Sequence, residues 1–235
     1  MLSIIIPTKN EEQIIQSTLE KIIEEMRSID YEIIVIDDFS DDDTEKIIKS
    51  FQEKSEKIKF FKNKKNGLGP LIEYGVEVSK GEFIAIMMAD LSDNLEDLKE
   101  YYEIIANSEY DAVLGSRFIK GSIVIDYPKA KLLLNRLFNY FVKLLFLSNY
   151  NDFTNAFKIY RRKTLLNLNP FVSESFNIFL ELPLKIINRN YNYKIIPIKW
   201  HNRKKGKSKF KIKELGAKYI FTLIYCFAEK ILLKK

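Results

Sequence analysis

Five short stretches of this chain carry almost no polar residue in alternation: Leu2–Ile6, Glu32–Ile36, Ile58–Phe61, Phe83–Met88 and Ala112–Leu114. A strand that faces water on one side alternates polar and apolar residues, whereas a continuous apolar run must be covered on both faces. Helical segments lie between the runs. Glu11–Arg27 places Ile14, Ile15, Leu19, Ile22, Ile23 and Met26 at helical spacing, with Asn10 as its expected N-cap. Thr44–Lys54, Leu68–Ser79 (entered through Asn66–Gly67) and Leu95–Ala106 read the same way. The expected fold class is therefore α/β, a Rossmann-like, mostly parallel sheet with helices on both faces and right-handed crossovers. In such sheets ligands bind beyond the carboxyl ends of the strands. Thr8-Lys9-Asn10-Glu11, Asp37-Asp38, Ala89-Asp90 and Gly115-Ser116-Arg117 each follow a strand run, so all four are expected on one edge.

The second half reads differently. Lys131–Leu147 is helical and mostly apolar, with Lys131, Asn135, Asn139 and Lys143 on one i, i+4 stripe. Asp152–Tyr160 reads as loop and strand, Ser175–Asn188 as a helix disturbed at Pro183, and Tyr193–Trp200 as one strand. A last helix runs from 214 to 233. Two domains are expected: 1–210, and an amphipathic C-terminal helix within 211–235.

Charge is polarised. Residues 37–45 hold six acids, and residues 203–213 hold seven Lys/Arg and no acid, in a chain of net charge +6. The acidic end suits a metal or a hydroxyl-rich ligand, the basic end phosphate or anionic lipid. Nucleic acid is not an expected partner, because no aromatic interleaves the basic run before Phe210. A single cysteine, Cys226, excludes an internal disulfide and points to a reducing compartment. With one His (His201), a structural zinc site is excluded as well. The longest apolar stretch, Tyr219–Ala228, is about half of what a spanning helix needs.

Six motifs occur in order: Pro7-Thr8-Lys9-Asn10-Glu11-Glu12, Ile36-Asp37-Asp38-Phe39-Ser40-Asp41-Asp42-Asp43-Thr44, Met88-Ala89-Asp90-Leu91-Ser92-Asp93, Gly115-Ser116-Arg117-Phe118, Asp152-Phe153-Thr154-Asn155-Ala156-Phe157 and Arg203-Lys204-Lys205-Gly206-Lys207-Ser208-Lys209. Together, over roughly residues 3–210, they resemble family 2 glycosyltransferases of the GT-A type, and within them the dolichol-phosphate mannose synthase branch. The resemblance implies a hexosyltransferase that moves mannose or glucose from a nucleotide sugar to a polyprenyl or dolichyl phosphate. It implies nucleotide-sugar binding by Pro7, Thr8, Asn10, Glu11, Asp37, Asp38, Gly67 and Asp90. Asp90 is implied as catalytic and as ligand to Mg2+ or Mn2+. Acceptor phosphate would be held by Arg117, Lys131, Asn135, Arg203 and Lys209, and Asp152 would act as a catalytic carboxylate.

This sequence departs from the family at two positions. Met88 stands where the Asp-X-Asp signature has its first Asp, so Asp93, Ser92, water or donor phosphates must complete a metal shell. Phe39 stands where Gly is usual. Location at the cytoplasmic face of a membrane is expected, with helices 131–147 and 214–233 lying in the interface. Two rivals keep the fold: transfer to a glycan or lipid-linked saccharide hydroxyl with Asp152 as base, and a non-catalytic membrane-binding homologue. Glu181 is a further, weaker candidate base. A calcium loop over 37–45 is disfavoured by Asp42 or Asp43 where glycine is wanted.

Overall fold

A computed structural model describes residues 1–202 and 212–233. Its centre is a seven-stranded sheet built from β1 (Leu2–Thr8), β2 (Tyr31–Asp37), β3 (Ile58–Lys62), β4 (Phe83–Ile86), β5 (Ala112–Ser116), β7 (Lys158–Arg161) and β8 (Tyr193–Pro197). The order is β3-β2-β1-β4-β7-β5-β8. All neighbours are parallel except β7, which runs antiparallel between β4 and β5. The chain winds outward from β1 to β3 and then returns to place β4 on the other side of β1. That reversal creates a crevice at the carboxyl ends of β1 and β4.

The strands are buried on both faces, as their composition requires. Ile5, Ile34, Ile36, Ile84 and Ile86 enter one core with α3 (Leu68–Val78), α7 (Ile178–Asn188) and α8 (Ile212–Leu233). Leu2, Ile4, Ile6, Ile33, Val35 and Ala85 enter the other, with α1 (Ile15–Glu25), α2 (Thr44–Gln52) and α4 (Leu95–Ala106). A short α6 (Arg162–Asn167) follows β7.

The structure corrects several expectations. Helix α1 starts at Ile15, not Glu11, and Asn10 does not cap it. Asn10 instead adopts φ 51° and pairs with Asp41, its Nδ2 donating at 2.5 Å. Turn-to-turn bonding between β1 and β2 wins over the local cap. Asn94 caps α4, accepting from the Glu96 and Asp97 amides. Tyr193–Trp200 is two strands: β8 in the main sheet, and β9 (Lys199–His201), which leaves to pair with β6 (Ile123–Ile125).

Helix α5 (Lys129–Phe146) buries Val142 and Phe146 in the core yet also turns a polar residue inward and large apolar ones outward. Asn139 is 1% exposed, whereas Leu133, Leu134, Leu137, Tyr140, Phe141 and Leu144 face outward. The polar stripe was legible, but Tyr127 and Thr154 draw only its middle, Asn135 and Asn139, inward, while Lys131 stays exposed. Helix α8 packs on α7 through Tyr219, Leu223 and Cys226 and exposes Ile220, Phe221, Ile224 and Ile231. Phe138 of α5 meets Tyr219 of α8 edge-on at 5.9 Å. The two helices thus present apolar side chains side by side. Among the described residues no helix is long and apolar enough to cross a membrane.

Candidate active site

The β1 and β2 exits are stitched together first. The Asp38 amide donates to the Thr8 carbonyl (2.8 Å) and Thr8 Oγ1 to the Ile36 carbonyl (3.1 Å). Pro7 sits in β1 past the end of its pairing with β4, where no N–H is needed. Glu11 donates its amide to Thr44 Oγ1 at 2.8 Å, fixing the start of α2. Asp37 turns its own chain: its carboxylate accepts from the Ser40 amide and hydroxyl.

Asp38 does the joining to β3. Its Oδ1 accepts from Asn63 Nδ2 (2.8 Å) and the Gly67 amide (3.0 Å), and Oδ2 lies 3.3 Å from Lys9 Nζ. Gly67 has φ 122°, and a Cβ there would meet the Glu174 carbonyl oxygen at 2.5 Å, so only glycine fits. Asn63 is buried and its Oδ1 has no hydrogen-bond partner among the described residues. Such an orphan is destabilising and concentrates at functional sites.

On β4, Thr18 Oγ1 of α1 donates to the Ala89 carbonyl at 2.6 Å and sets the strand end. Asp90 follows, half-buried, with Oδ1 accepting from the Ser92 amide at 3.0 Å. Asp93 is 6% exposed. Burial first, and the charge of Asp90 second, push its carboxyl up to about 8. Asp38 and Asp90 leave strands two places apart in the sheet, a separation of about 10 Å at the usual strand spacing. Thr8, Asn10 and Glu11 lie between them on β1, so one edge holds the expected donor residues.

The donor set fits a hard divalent cation. The charge of Asp90 already raises the buried Asp93 carboxyl, an effect such an ion would offset. Among the described residues no group of three His, Cys, Asp or Glu could hold a metal. Any ion there would draw its remaining ligands from diphosphate and water, as Mg2+ ordinarily does. Met88 is partly buried against the core and contributes none.

Arg117 leaves β5 and is held by Asp152. Nε donates to Oδ2 (2.8 Å), Nη2 to Oδ1 (2.7 Å), and the Arg117 amide to Oδ2 (2.8 Å). The side chains are 7% and 0% exposed. Burial opposes the Arg117 charge, but Asp152 more than offsets it and holds the guanidinium above its usual range. Phe118, Tyr127 and Trp200 surround the guanidinium at 5.3–5.8 Å from ring centroids. Nη1 makes no hydrogen bond with any described residue. Trp200 also bridges to Asp93, and the His201 amide donates to the Ser92 carbonyl, so this cage abuts the Asp90 turn.

Helix α5 reaches the cage through amides. Asn135 Oδ1 accepts from Thr154 Oγ1 (2.8 Å) and Asn139 Nδ2 (2.7 Å), while Asn135 Nδ2 donates to Tyr127 Oη (3.1 Å). Thr154 lies 3.4 Å from Arg117 Nη2. Lys131 is exposed one turn before Asn135. Arg203 and Lys209 lie outside the described residues. Asp152 does not suit a general base, because it is fully buried with both oxygens bound. Glu181 does not either: it forms a buried 2.7 Å pair with Lys185 and accepts from the Val172 and Ser173 amides.

Sequence reasoning missed three groups here. Trp200 and Tyr127 carried no motif signal. Lys158 read as an ordinary strand residue, yet it is buried, with Nζ donating to the Phe153 and Asn155 carbonyls. Burial pulls its amine down to about 7, despite the opposing charge of Asp152.

Comparison with known proteins agrees with this architecture. A family profile described as glycosyl transferase family 2 matches residues 3–168, and the chain belongs to that family. It is 27% identical over 219 residues to a dolichol-phosphate mannosyltransferase of Pyrococcus furiosus, covering 91% of this chain and 60% of that one. A dolichyl-phosphate beta-glucosyltransferase of Dictyostelium discoideum is 30% identical over 184 residues, covering 72% and 56%. Glycosyltransferase AglD of Haloferax volcanii is 26% identical over 179 residues, covering 74% and 28%. The chain therefore spans between 28% and 60% of the length of these relatives. Among solved structures, glucosyl-3-phosphoglycerate synthase from Mycobacterium tuberculosis, in complex with Mn2+, UDP and phosphoglyceric acid, superposes with a TM-score of 0.75. Identity is 16%, over 97% of this chain and 78% of that one, so the likeness is one of fold, the GT-A fold. The same enzyme has been solved with Mg2+ and UDP.

Proposed function

We propose that this chain transfers a hexose from a nucleotide sugar to a polyprenyl phosphate at the cytoplasmic face of a membrane. One observation carries the acceptor assignment. Helix α5 turns large apolar side chains outward and, through Asn135 and Asn139, braces Thr154 beside Arg117. One helix thus joins an outward apolar face to the brace beside Arg117, which leaves β5, and α5 contains no acid that would repel an anionic bilayer. The relatives named for dolichol-phosphate substrates support the same reading.

Thr8, Asn10, Glu11 and Asp38 with Gly67 hold the nucleoside, and Asp90 faces the diphosphate, which it would engage through a cation. Asp90 would hold a divalent cation, which would supply positive charge to the departing nucleoside diphosphate. Arg117 offers Nη1 to the acceptor phosphate, with Lys131 at the approach. Asp152 is the positioning residue that fixes the guanidinium plane. The phosphate oxygen is already anionic, so no base is required. Its bond to the anomeric carbon forms as the bond from that carbon to the diphosphate breaks, and direct displacement inverts the configuration. Aromatic rings around Arg117 lower the local polarity and strengthen its pull on phosphate.

Radiolabelled nucleotide sugars incubated with Mn2+ and either a polyprenyl phosphate or a glycan hydroxyl acceptor test this assignment. Label in the lipid fraction is the expected result. Label only in glycan would replace the acceptor and return a base to the mechanism. No label in either would leave the non-catalytic homologue.

A further inference from the structure

Two turns on the donor edge share one unusual device. Asp37 ends β2 and Asp90 stands four residues past β4, and each carboxylate accepts a backbone amide a few residues on. Within each turn a bulky residue is forced into the left-handed region: Phe39 at φ 58° and Leu91 at φ 54°. A non-glycine side chain is disfavoured there. For Leu91 packing accounts for the side chain, which lies against the core on the α1–α4 face. Phe39 has no such compensation. It is 55% exposed and makes no ring contact with any described residue. The orphaned Asn63 Oδ1 lies on the neighbouring β3 exit, joined to the same loop through Asp38. Strain and unmet bonding at one spot mark places where function overrides stability.

We propose that Phe39 is the stacking platform for the donor's nucleobase, with its ring taking one face of the purine or pyrimidine. This rests on the donor site proposed above and adds its specificity-determining residue. Phe39 follows Asp38 at the end of the edge remote from Asp90, about two strand spacings away. That is the distance over which a nucleoside diphosphate extends from its phosphates to its base. An exposed aromatic face binds any base by stacking, and hydrogen bonds from the neighbouring loops choose among them.

Calorimetric titration of the wild-type chain, Phe39→Gly and Phe39→Trp tests it, with UDP, GDP and inorganic pyrophosphate as probes, each with Mn2+. Glycine suits a positive φ, so Phe39→Gly should melt no lower than wild type and lose no fold. It should bind the favoured nucleoside diphosphate about tenfold more weakly or worse, yet bind pyrophosphate as wild type does. Phe39→Trp should keep nucleotide affinity and show quenching of its added fluorescence over the Trp200 background. Equal nucleotide binding by wild type and Phe39→Gly would overturn the stacking role and leave the donor site standing. Wild-type protein that binds neither nucleotide would overturn the donor site and the stacking role together.

Discussion

The donor edge and the acceptor side of this molecule are held together in opposite ways. At the donor edge, carboxylates gather neutral amide donors: Asp37 accepts from Ser40 three residues on, and Asp38 accepts from Asn63 and Gly67 at the β3 exit. On the acceptor side a buried ion pair, Arg117–Asp152, sits among aromatic rings, reached by a helix that turns Asn135 and Asn139 towards it. Asp38 shares its hydrogen bonds among two neutral amides and a partly exposed lysine, so loss of one donor leaves it others. A buried ion pair has no such reserve, because removing one partner strands the other in a poorly polar environment. The two sides should therefore answer mutation differently.

The largest effect is expected from Asp152→Ala, which leaves Arg117 buried and unpaired. Urea unfolding should show a loss of about 3–5 kcal/mol. A loss below about 1 kcal/mol would mean that the guanidinium finds water and the cage is open. Next comes Asp90→Asn. It should lower transfer by about 10²–10³-fold, the range seen for removing one preorganised electrostatic group, with stability nearly unchanged. A large stability loss there would erase the contrast between the two sides.

Smaller still is the effect of the outward face. Leu134→Ser combined with Phe141→Ser should leave stability within about 0.5 kcal/mol, since both side chains are exposed. Flotation with anionic vesicles should fall by about tenfold or more, from the apolar area no longer offered to lipid. Unchanged flotation together with a change in oligomeric state would assign the face to a second copy.

The smallest effects are pH-dependent and sharpen the electrostatics between the two sides. Asp93 has its folded-state value raised to about 8, so the native state holds a proton that the unfolded chain has lost. Stability from this group is full below about pH 4 and declines as pH rises through 8. Lys158, lowered to about 7, acts in reverse: its contribution is full above the unfolded value near 10.5 and is lost as pH falls through 7. In metal-free buffer, Asp93→Asn should flatten the decline between pH 4 and 8, read from denaturation midpoints. Lys158→Met should flatten the rise between pH 7 and 10.

Much of the donor edge was legible because it is local. Apolar runs identify buried strands, and in a parallel sheet each strand end delivers the next residues to one edge. Thr8, Asp38, Asp90 and Arg117 follow from that rule alone. The helix N-cap at Asn10 failed because a turn on β2 competes for the same side chain. The acceptor side was less legible because its geometry depends on distant pairs. Periodicity showed a polar stripe on α5 but not that Thr154 and Tyr127 draw its middle inward. Asp152 read as a free carboxylate, and only the fold reveals Arg117 on both its oxygens. Antiparallel β7, which brings Lys158 beneath that pair, leaves no trace in composition.

The most direct measurement is equilibrium binding of a nucleoside diphosphate, with and without Mn2+, to wild-type protein and to Asp90→Asn. Tightening by Mn2+ of about tenfold or more in the wild type, abolished in the variant, is the predicted result. Equal tightening in both proteins would place the cation elsewhere and remove Asp90 from the centre of the donor site.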